Sequence, residues 1–246
     1  MENRIADLSW RTERQQIAEA LTDDDIFVVR SLRLEVPSAN LVLRLPQTID
    51  ELIDAARVAA SGIVKPGLRF FGVNWEKGEP ADVARSSFSS NLGVLASIAD
   101  ADWKLPLCAY IDEQFVGRQS VRAENFAVGR EFKTGSWVRP DLQSRGIGFA
   151  MRVAVLQLGF AEFDAETARS ESFESNRASA RVSEKCSYEP DGTETIVQDG
   201  HRLVGQRWLM TRDHWMSVRD GWPKVVVGGV TPQLLRSLGA SETSDK

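Results

Sequence analysis

The sequence predicts a mixed α/β domain, on three observations. Strand-like apolar runs and helix-spaced apolar segments follow one another in an irregular order, neither strictly alternating nor grouped apart. A strand, a glycine-containing loop and an almost wholly apolar helix succeed each other between 132 and 160. The chain has 246 residues, 42% hydrophobic and 26% charged, so a packed core can form and wholesale disorder is excluded. At roughly 150 residues per domain, that length admits one large domain or two small ones.

The elements follow in chain order. Residues 1–30 mix charges with an amphipathic stretch around Ile17, Ala20 and Leu21, which reads as a short helix. Leu41 to Leu45 is a strand ended by Pro46, and Thr48 can cap a helix running through Ala60. In that helix Ile49, Leu52, Ile53, Ala56 and Ala59 recur at helical spacing. Gly62, Pro66 and Gly67 break the pattern, and a second helix falls within 80–98. Leu105 to Ile111 and Phe115 to Ala123 form a hairpin about the polar Asp112-Glu113-Gln114. A further strand spans Phe132 to Val138 and stops at Pro140, which has no donor for a ladder.

Phe149 to Phe160 is apolar on most sides, the mark of a buried helix. Thr167 to Glu171 is a short strand. Asn176 to Lys185 suits a helix capped by Ser175 or Asn176, with Ala178 and Val182 turned inward. Asp191-Gly192 signals a turn, and Gln206 to Thr211 is a strand. Val225 to Val230, a valine run bounded by glycines, reads as an extra strand, and Thr231-Pro232 opens a short helix through Leu238. Residues 241–246 are polar and are expected to fray.

Composition removes several function classes. A formal charge of -5 argues against a dedicated nucleic-acid binder, whose footprint is basic. With only His201 and His214, a multi-histidine metal cage is excluded, and a catalytic triad would have to use one of the two. Cys108 and Cys186 are the only cysteines. They offer no disulfide framework or CxxC pattern and fit a reducing interior. The N-terminus lacks the pattern of a signal peptide, and no run approaches the ~18 apolar residues of a membrane span. The expectation is a cytoplasmic protein that uses neither metal, nucleic acid nor membrane. Of seven tryptophans, Trp208 reads as core, while Trp137 reads equally as core or as the lining of a cleft.

The segment Gln143-Ser144-Arg145-Gly146-Ile147-Gly148 carries the chemistry. Two glycines permit close backbone approach, and the first turn of the following helix leaves N–H groups unpaired at the positive end of its dipole. Together these suit a pyrophosphate. A P-loop is excluded, since no Gly-Lys-Ser/Thr occurs, and a dinucleotide fingerprint lacks its third glycine. The plain alternative is a tight turn before a core helix.

Here the sequence resembles the GNAT acyltransferase superfamily, in its RimJ/RimL-like branch. Gln143–Gly148 matches the Q/R-x-x-G-x-G/A acyl-CoA loop, and Asn176-Arg177-Ala178-Ser179 matches N-x-x-S. Lys185-Cys186-Ser187-Tyr188 with Gly192 resembles K-x-G-F/Y-x-x-x-G, with Cys186-Ser187 where a Leu-Gly pair is usual. The resemblance implies a GNAT fold: a central mixed twisted sheet, helices on both faces, and a splayed parallel strand pair that binds acyl-CoA. It divides the chain into an N-terminal extension (1–30), an acyltransferase domain (31–212) and a C-terminal extension (213–246) that packs on the domain or forms a subunit interface, as in a homodimer.

The resemblance further implies an acetyl-CoA, or another acyl-CoA, as co-substrate. The pantetheine arm would pair with backbone around Trp137 and Val138. The pyrophosphate would rest on Gln143, Ser144, Arg145, Gly146, Ile147, Gly148 and Phe149. Asn176 would bond the pantetheine, and Ser179 would lie near the thioester sulfur. The acceptor would be a primary amine of a small molecule or a protein N-terminus.

Attack by an amine creates an oxyanion that the Val138 N–H could meet. The tyrosine acid that many such enzymes place seven residues after the asparagine is replaced by Ser183. Ser179 is then the expected proton donor, with Tyr188 nearby. Glu124, Glu194, Asp199 and His201 are candidate bases, each more readily read as a solvated surface group. The net charge mildly favours a cationic or neutral acceptor by steering. A non-catalytic acyl-CoA sensor, and a transferase for a larger acyl group such as succinyl, remain as alternatives.

Overall fold

A computed structural model of the chain describes residues 27–63, 78–96 and 102–240, with 15–16, 18–22 and 98 besides. Trp10, Ile17, Pro66, Gly67, Trp75 and the polar tail 241–246 lie outside the described residues. No described helix is long and apolar enough to cross a membrane.

Among the described residues nine strands form one sheet. They are β1 (Arg33–Val36), β2 (Leu41–Arg44), β3 (Trp103–Ile111), β4 (Gln114–Ala123), β5 (Glu131–Val138), β6 (Thr167–Phe173), β7 (Glu189–Gln198), β8 (His201–Thr211) and β9 (Val226–Gly228). The spatial order is β7-β8-β6-β5-β4-β3-β2-β1-β9. Among the described residues β5 and β6 are the one parallel pair; the other neighbours run antiparallel. A parallel pair needs a crossover, and the buried helix supplies it.

The period of two sorts side chains onto two faces. Leu41, Leu43, Leu105, Leu107, Val121 and Phe132 point into the main core, where α3 (Ile147–Gln157) packs. The opposite face carries α1 (Ile49–Ala60) and α2 (Pro80–Ala96), with Ala55 of α1 packed on Cys108, Tyr110 and Phe115. Thr48 caps α1, its hydroxyl accepting from the Glu51 N–H at 3.2 Å. α4 (Arg177–Lys185) follows β6, and α5 (Arg212–Val218) follows β8. In the C-terminal segment, β9 pairs with β1 and α6 (Pro232–Ser237) closes the core. Leu234 and Leu238 are buried, and the Trp103 indole N–H donates to the Leu238 carbonyl at 2.9 Å. Trp215 is buried too and stacks on Phe160 with centroids 5.2 Å apart. The tail therefore shares the core of the main body.

Several details differ from the sequence expectations. β1 was not anticipated, because Arg33-Leu34-Glu35-Val36 shows only two apolar residues, although their alternation is the strand period. α3 starts at Ile147 and passes at Leu158 into a π-turn through Glu162, which the continuous apolarity concealed. Asp191-Gly192 is not a reversal. It lies inside β7, where the register with β8 shifts between Pro190 and Thr193 as a bulge. The chain turns instead at Asp199-Gly200, both at positive φ as a two-residue hairpin requires. In α4, Ala178 is exposed; Ala180 and Ser183 face inward.

Candidate active site

The parallel pair supplies a cleft. β5 and β6 are in register from Glu131↔Thr167 to Thr134↔Ser170 and then stop pairing, although β5 continues to Val138 and β6 to Phe173. Residues 135–138 remain bonded to β4 on their other side, with Gly135↔Ser120 and Val138↔Gly117. The Arg139 N–H donates to Val116 of β4 at 2.8 Å. Backbone groups of successive strand residues alternate in direction, so the N–H groups of Ser136 and Val138 point away from β4, into the gap. The Val138 carbonyl, on the same side, accepts from Gln143 Nε2 at 3.0 Å. Gln143 thus ties the glycine loop to the end of β5.

The loop is exposed from Gln143 to Gly146. Ser144 and Gly146 both adopt left-handed backbone, at φ 63 and 85. Such turns converge successive N–H groups into an anion nest. Gly146 is the N-cap of α3 and has no side chain to bond the first turn, so the amides of residues 147–149 face outward without a cap. A Cβ on Gly148 would lie 3.5 Å from Val182 and 4.0 Å from Val138, at the cleft wall between β5 and α4. Arg145 is exposed beside this cradle, and the Lys185 ammonium sits 4.4 Å from the Phe149 ring centroid. A groove of about 630 Å³ includes Arg145, Gly146, Ile147, Phe149 and Lys185 in its wall. Lys185 entered the sequence reading only as a family motif position; its place beside the cradle comes from α4 ending opposite the start of α3.

Across the cleft, Asn176 caps α4: its Oδ1 accepts from the Ser179 N–H at 3.1 Å. That leaves its amide NH₂ as the group it can offer a ligand. Ser179 is half-buried and its hydroxyl is unengaged, so it does not bond the preceding turn as a helix serine often does. Ser183 is sealed in the interior, its hydroxyl 3.5 Å from that of Ser170. Tyr188 is buried, and its hydroxyl lacks a hydrogen-bond partner. Burial pushes the phenol above its ordinary value, so it keeps its proton at neutral pH. Arg152 of α3 lies 5.6 Å from the Tyr188 ring centroid, with Nε and Nη1 also unpartnered. Sequence reasoning passed over Arg152, because one arginine in an apolar run leaves the helix reading unchanged. Both thiols are buried, and burial raises them; Cys186 is pushed up to about 12. Neither is a thiolate nucleophile at neutral pH.

The face under α1 and α2 borders the other side of the cleft. Trp137 packs against Phe115 with centroids 5.6 Å apart. Arg44 holds Glu51 through two bonds of 2.7 and 2.8 Å, and the Tyr110 hydroxyl donates to Glu51 at 3.2 Å. Glu124 follows the far end of β4, four residues beyond Ser120, the last β4 residue opposite the splayed part of β5. At 3.3 Å per residue that is about 13 Å along the strand, so the fold does not bring Glu124 to the cleft. Asp199 and His201 are exposed at the tip of the β7–β8 hairpin, and Glu194 lies opposite Gly205 on it. His214 is occupied, its Nε2 lying 2.8 Å from the Ser187 carbonyl oxygen.

Known proteins share this fold. A family model described as an acetyltransferase (GNAT) domain matches residues 40–189. Among solved structures, RimJ of Mycobacterium smegmatis in complex with CoA-disulfide superposes with a TM-score of 0.56 at 16% identity, covering 75% of this chain and 88% of that one. RimL, a ribosomal L7/L12 alpha-N-protein acetyltransferase in complex with coenzyme A, gives 0.57 at 12% identity, covering 74% and 99%. The spermidine/spermine N-acetyltransferase SpeG of Vibrio cholerae gives 0.54 at 10% identity, covering 72% and 97%. At such identities the likeness is one of fold. The family match spans more than half of the sequence and contains both the splayed strands and the glycine loop, and on that ground the chain belongs to the GNAT acetyltransferase family.

Proposed function

We propose that this chain transfers an acyl group, acetyl in the simplest case, directly from coenzyme A to a primary amine of a small molecule or a protein N-terminus, in the cytoplasm. One observation carries the reading: β5 and β6 part after Thr134 and Ser170 directly beside a helix N-terminus whose cap is a left-handed glycine. The residues present fit acyl-CoA. Uncapped amides at 147–149 with Arg145 and Lys185 suit a pyrophosphate, and the inward N–H groups of Ser136 and Val138 suit an extended amide-bearing arm.

Bound acyl-CoA supplies a thioester carbonyl that an amine can attack. The first turn of α3 fixes the phosphate end, and Asn176 can offer its NH₂ to the arm. The Val138 N–H is the backbone donor at the carbonyl end. Ser179 gives its proton to the departing thiolate and regains one from the nitrogen of the adduct as the C–S bond breaks, so that amide, thiol and a neutral hydroxyl remain, while neutral Tyr188 buttresses the cleft from below. The apolar wall of Phe115 and Trp137 strips water from the amine, which favours the neutral, nucleophilic form.

A second reading draws on Ser183. At the position of the usual tyrosine acid stands a serine that is wholly buried, which suits a chain that binds acyl-CoA without turning it over. Calorimetry with acetyl-CoA, followed by thiol release across a panel of amines, separates the two. Binding with release supports the transferase. Binding without release across the panel supports the sensor, and absence of binding overturns both.

A further inference from the structure

The cleft's outer face carries an unusual set of charges. Arg44 of β2, Cys108 of β3, Arg118 of β4 and Trp137 of β5 are successive cross-strand partners and so share one face. Two pleats further along, Lys104, Arg122, Lys133 and Arg169 form a second row across β3, β4, β5 and β6. Like charges placed directly opposite one another destabilise a sheet, so this second row works against the fold.

Three of the carboxylates nearby are already committed. Glu51 belongs to Arg44. Glu131 holds Arg169 at 2.6 Å, and Asp191 pairs with the same guanidinium. Glu124 and Glu131 border a concavity of about 270 Å³ with Arg122 and Lys133, yet neither cation makes an ion pair. Arg118 is the telling residue. It is half-buried, its Nε is shut off from solvent with no hydrogen-bond partner, and among the described residues no carboxylate acts on it. Burial lowers its affinity for the proton. The Lys104 ammonium is likewise held below its ordinary value, by burial and by the charges of Arg118 and Arg122. A guanidinium nitrogen sealed from water without a partner is unfavourable, and a ligand carboxylate reaching the rest of the fork would offset that cost.

Arg118 stands one strand, about 5 Å, from Trp137 at the edge of the gap. Resting on the transferase reading, we propose that this face is an anion subsite, and that the acceptor is an amino-acid-like amine whose carboxylate, a few bonds from the nitrogen, is held by Arg118. Lys104, Arg122 and Lys133 draw the anion in and repel polycationic amines. The overall charge of -5 points the other way, but it is spread over the chain, whereas these cations are gathered on one face about 13 Å along the strands from Arg118, where they steer an anion most strongly at low ionic strength. A carboxylate recognised by a guanidinium fork gains two charge-assisted bonds that an amide cannot match.

The test uses the full chain saturated with coenzyme A, titrated with amino acids and with the corresponding C-terminal amides. Carboxylates are expected to bind at least tenfold more tightly, and to show at least a tenfold lower KM when acetyl-CoA turnover is followed. Arg118→Gln should abolish that ratio while leaving the Kd for coenzyme A unchanged, and Arg118→Lys should restore part of it. Arg122→Gln, at an exposed position, and Lys133→Gln, at a half-buried one, leave Arg118 in place and should each reduce the ratio two- to fivefold. Equal binding of acids and amides, binding of neither, or a ratio that survives Arg118→Gln overturns the proposal. A preference for succinyl-CoA over acetyl-CoA without any preference among acceptors also overturns it, because the anion would then belong to the acyl chain. Failure of coenzyme A itself to bind would overturn the transferase reading instead, and is seen in the first titration.

Discussion

The two ends of the cleft are built in opposite ways. The donor end comes from one contiguous stretch, Val138 to Phe149, and its groups are mostly backbone: N–H groups of a first helical turn, a left-handed glycine, and a carbonyl tied down by Gln143. The proposed acceptor face is assembled from side chains on four strands, which meet only because the sheet has one particular register. A backbone cradle recognises what every acyl-CoA has in common. A set of side chains can differ between related proteins without disturbing the fold. The division lets one architecture keep its donor while changing its acceptor.

Substitutions can break this division at stated points. The largest effect is expected between the two ends, at the reacting atoms. Ser179→Ala removes the proposed proton donor and should lower kcat about a hundredfold at saturating acetyl-CoA, with the Kd for coenzyme A unchanged. Unaltered turnover in a stopped thiol-release assay would remove Ser179 from the mechanism. At the donor end, Gly148→Glu puts a carboxylate into the cleft wall, where it competes for the first-turn amides and repels phosphate. Acetyl-CoA affinity should fall about tenfold or more by calorimetry, while the thermal midpoint moves little. At the acceptor face, Arg118→Gln should act on acceptor KM alone, so the two substitutions sort cleanly by which substrate they affect.

The smallest effect concerns stability. Hydrogen bonds from Arg44, chiefly, and from the Gln47 N–H hold the Glu51 carboxyl below its usual value of 4.5, against the opposing effect of burial. A depressed carboxylate stabilises the fold in full above that value, and the contribution disappears as pH falls through the folded value. Glu51→Gln should therefore cost about 1–2 kcal/mol at pH 7 and lower Tm by about 2–8 °C. The difference from the parent should shrink below about pH 4 in matched thermal melts. An equal difference at every pH would mean that the pair contributes by packing and not by charge.

The same contrast explains what the sequence made legible. The glycine loop could be read because its chemistry is local: residue types, spacing and the helix that follows all sit within a dozen positions. Thr48, Asn176 and Thr231 could be read as caps, or as helix starts, for the same reason. Arg118 could not. In the sequence it is one polar residue in a returning hairpin strand. Its facing depends on a bulge between Ala109 and Tyr110, which shifts the register of everything beyond it. Glu124 looked suitable because it follows a strand of the catalytic sheet, but an antiparallel strand delivers its two ends to opposite edges, and Glu124 is at the wrong one. The C-terminal valine run read as a strand from composition alone; that it would extend the sheet beside β1 required knowing that β1 exists.

The most direct measurement is a crystal structure of the full chain with acetyl-CoA. The pyrophosphate should lie on the amides of residues 147–149, with the arm running between β5 and β6 past Val138, and the thioester should end near Ser179 and Trp137. A cofactor bound elsewhere, or a β5–β6 gap that stays closed to it, would contradict the assignment of this cleft.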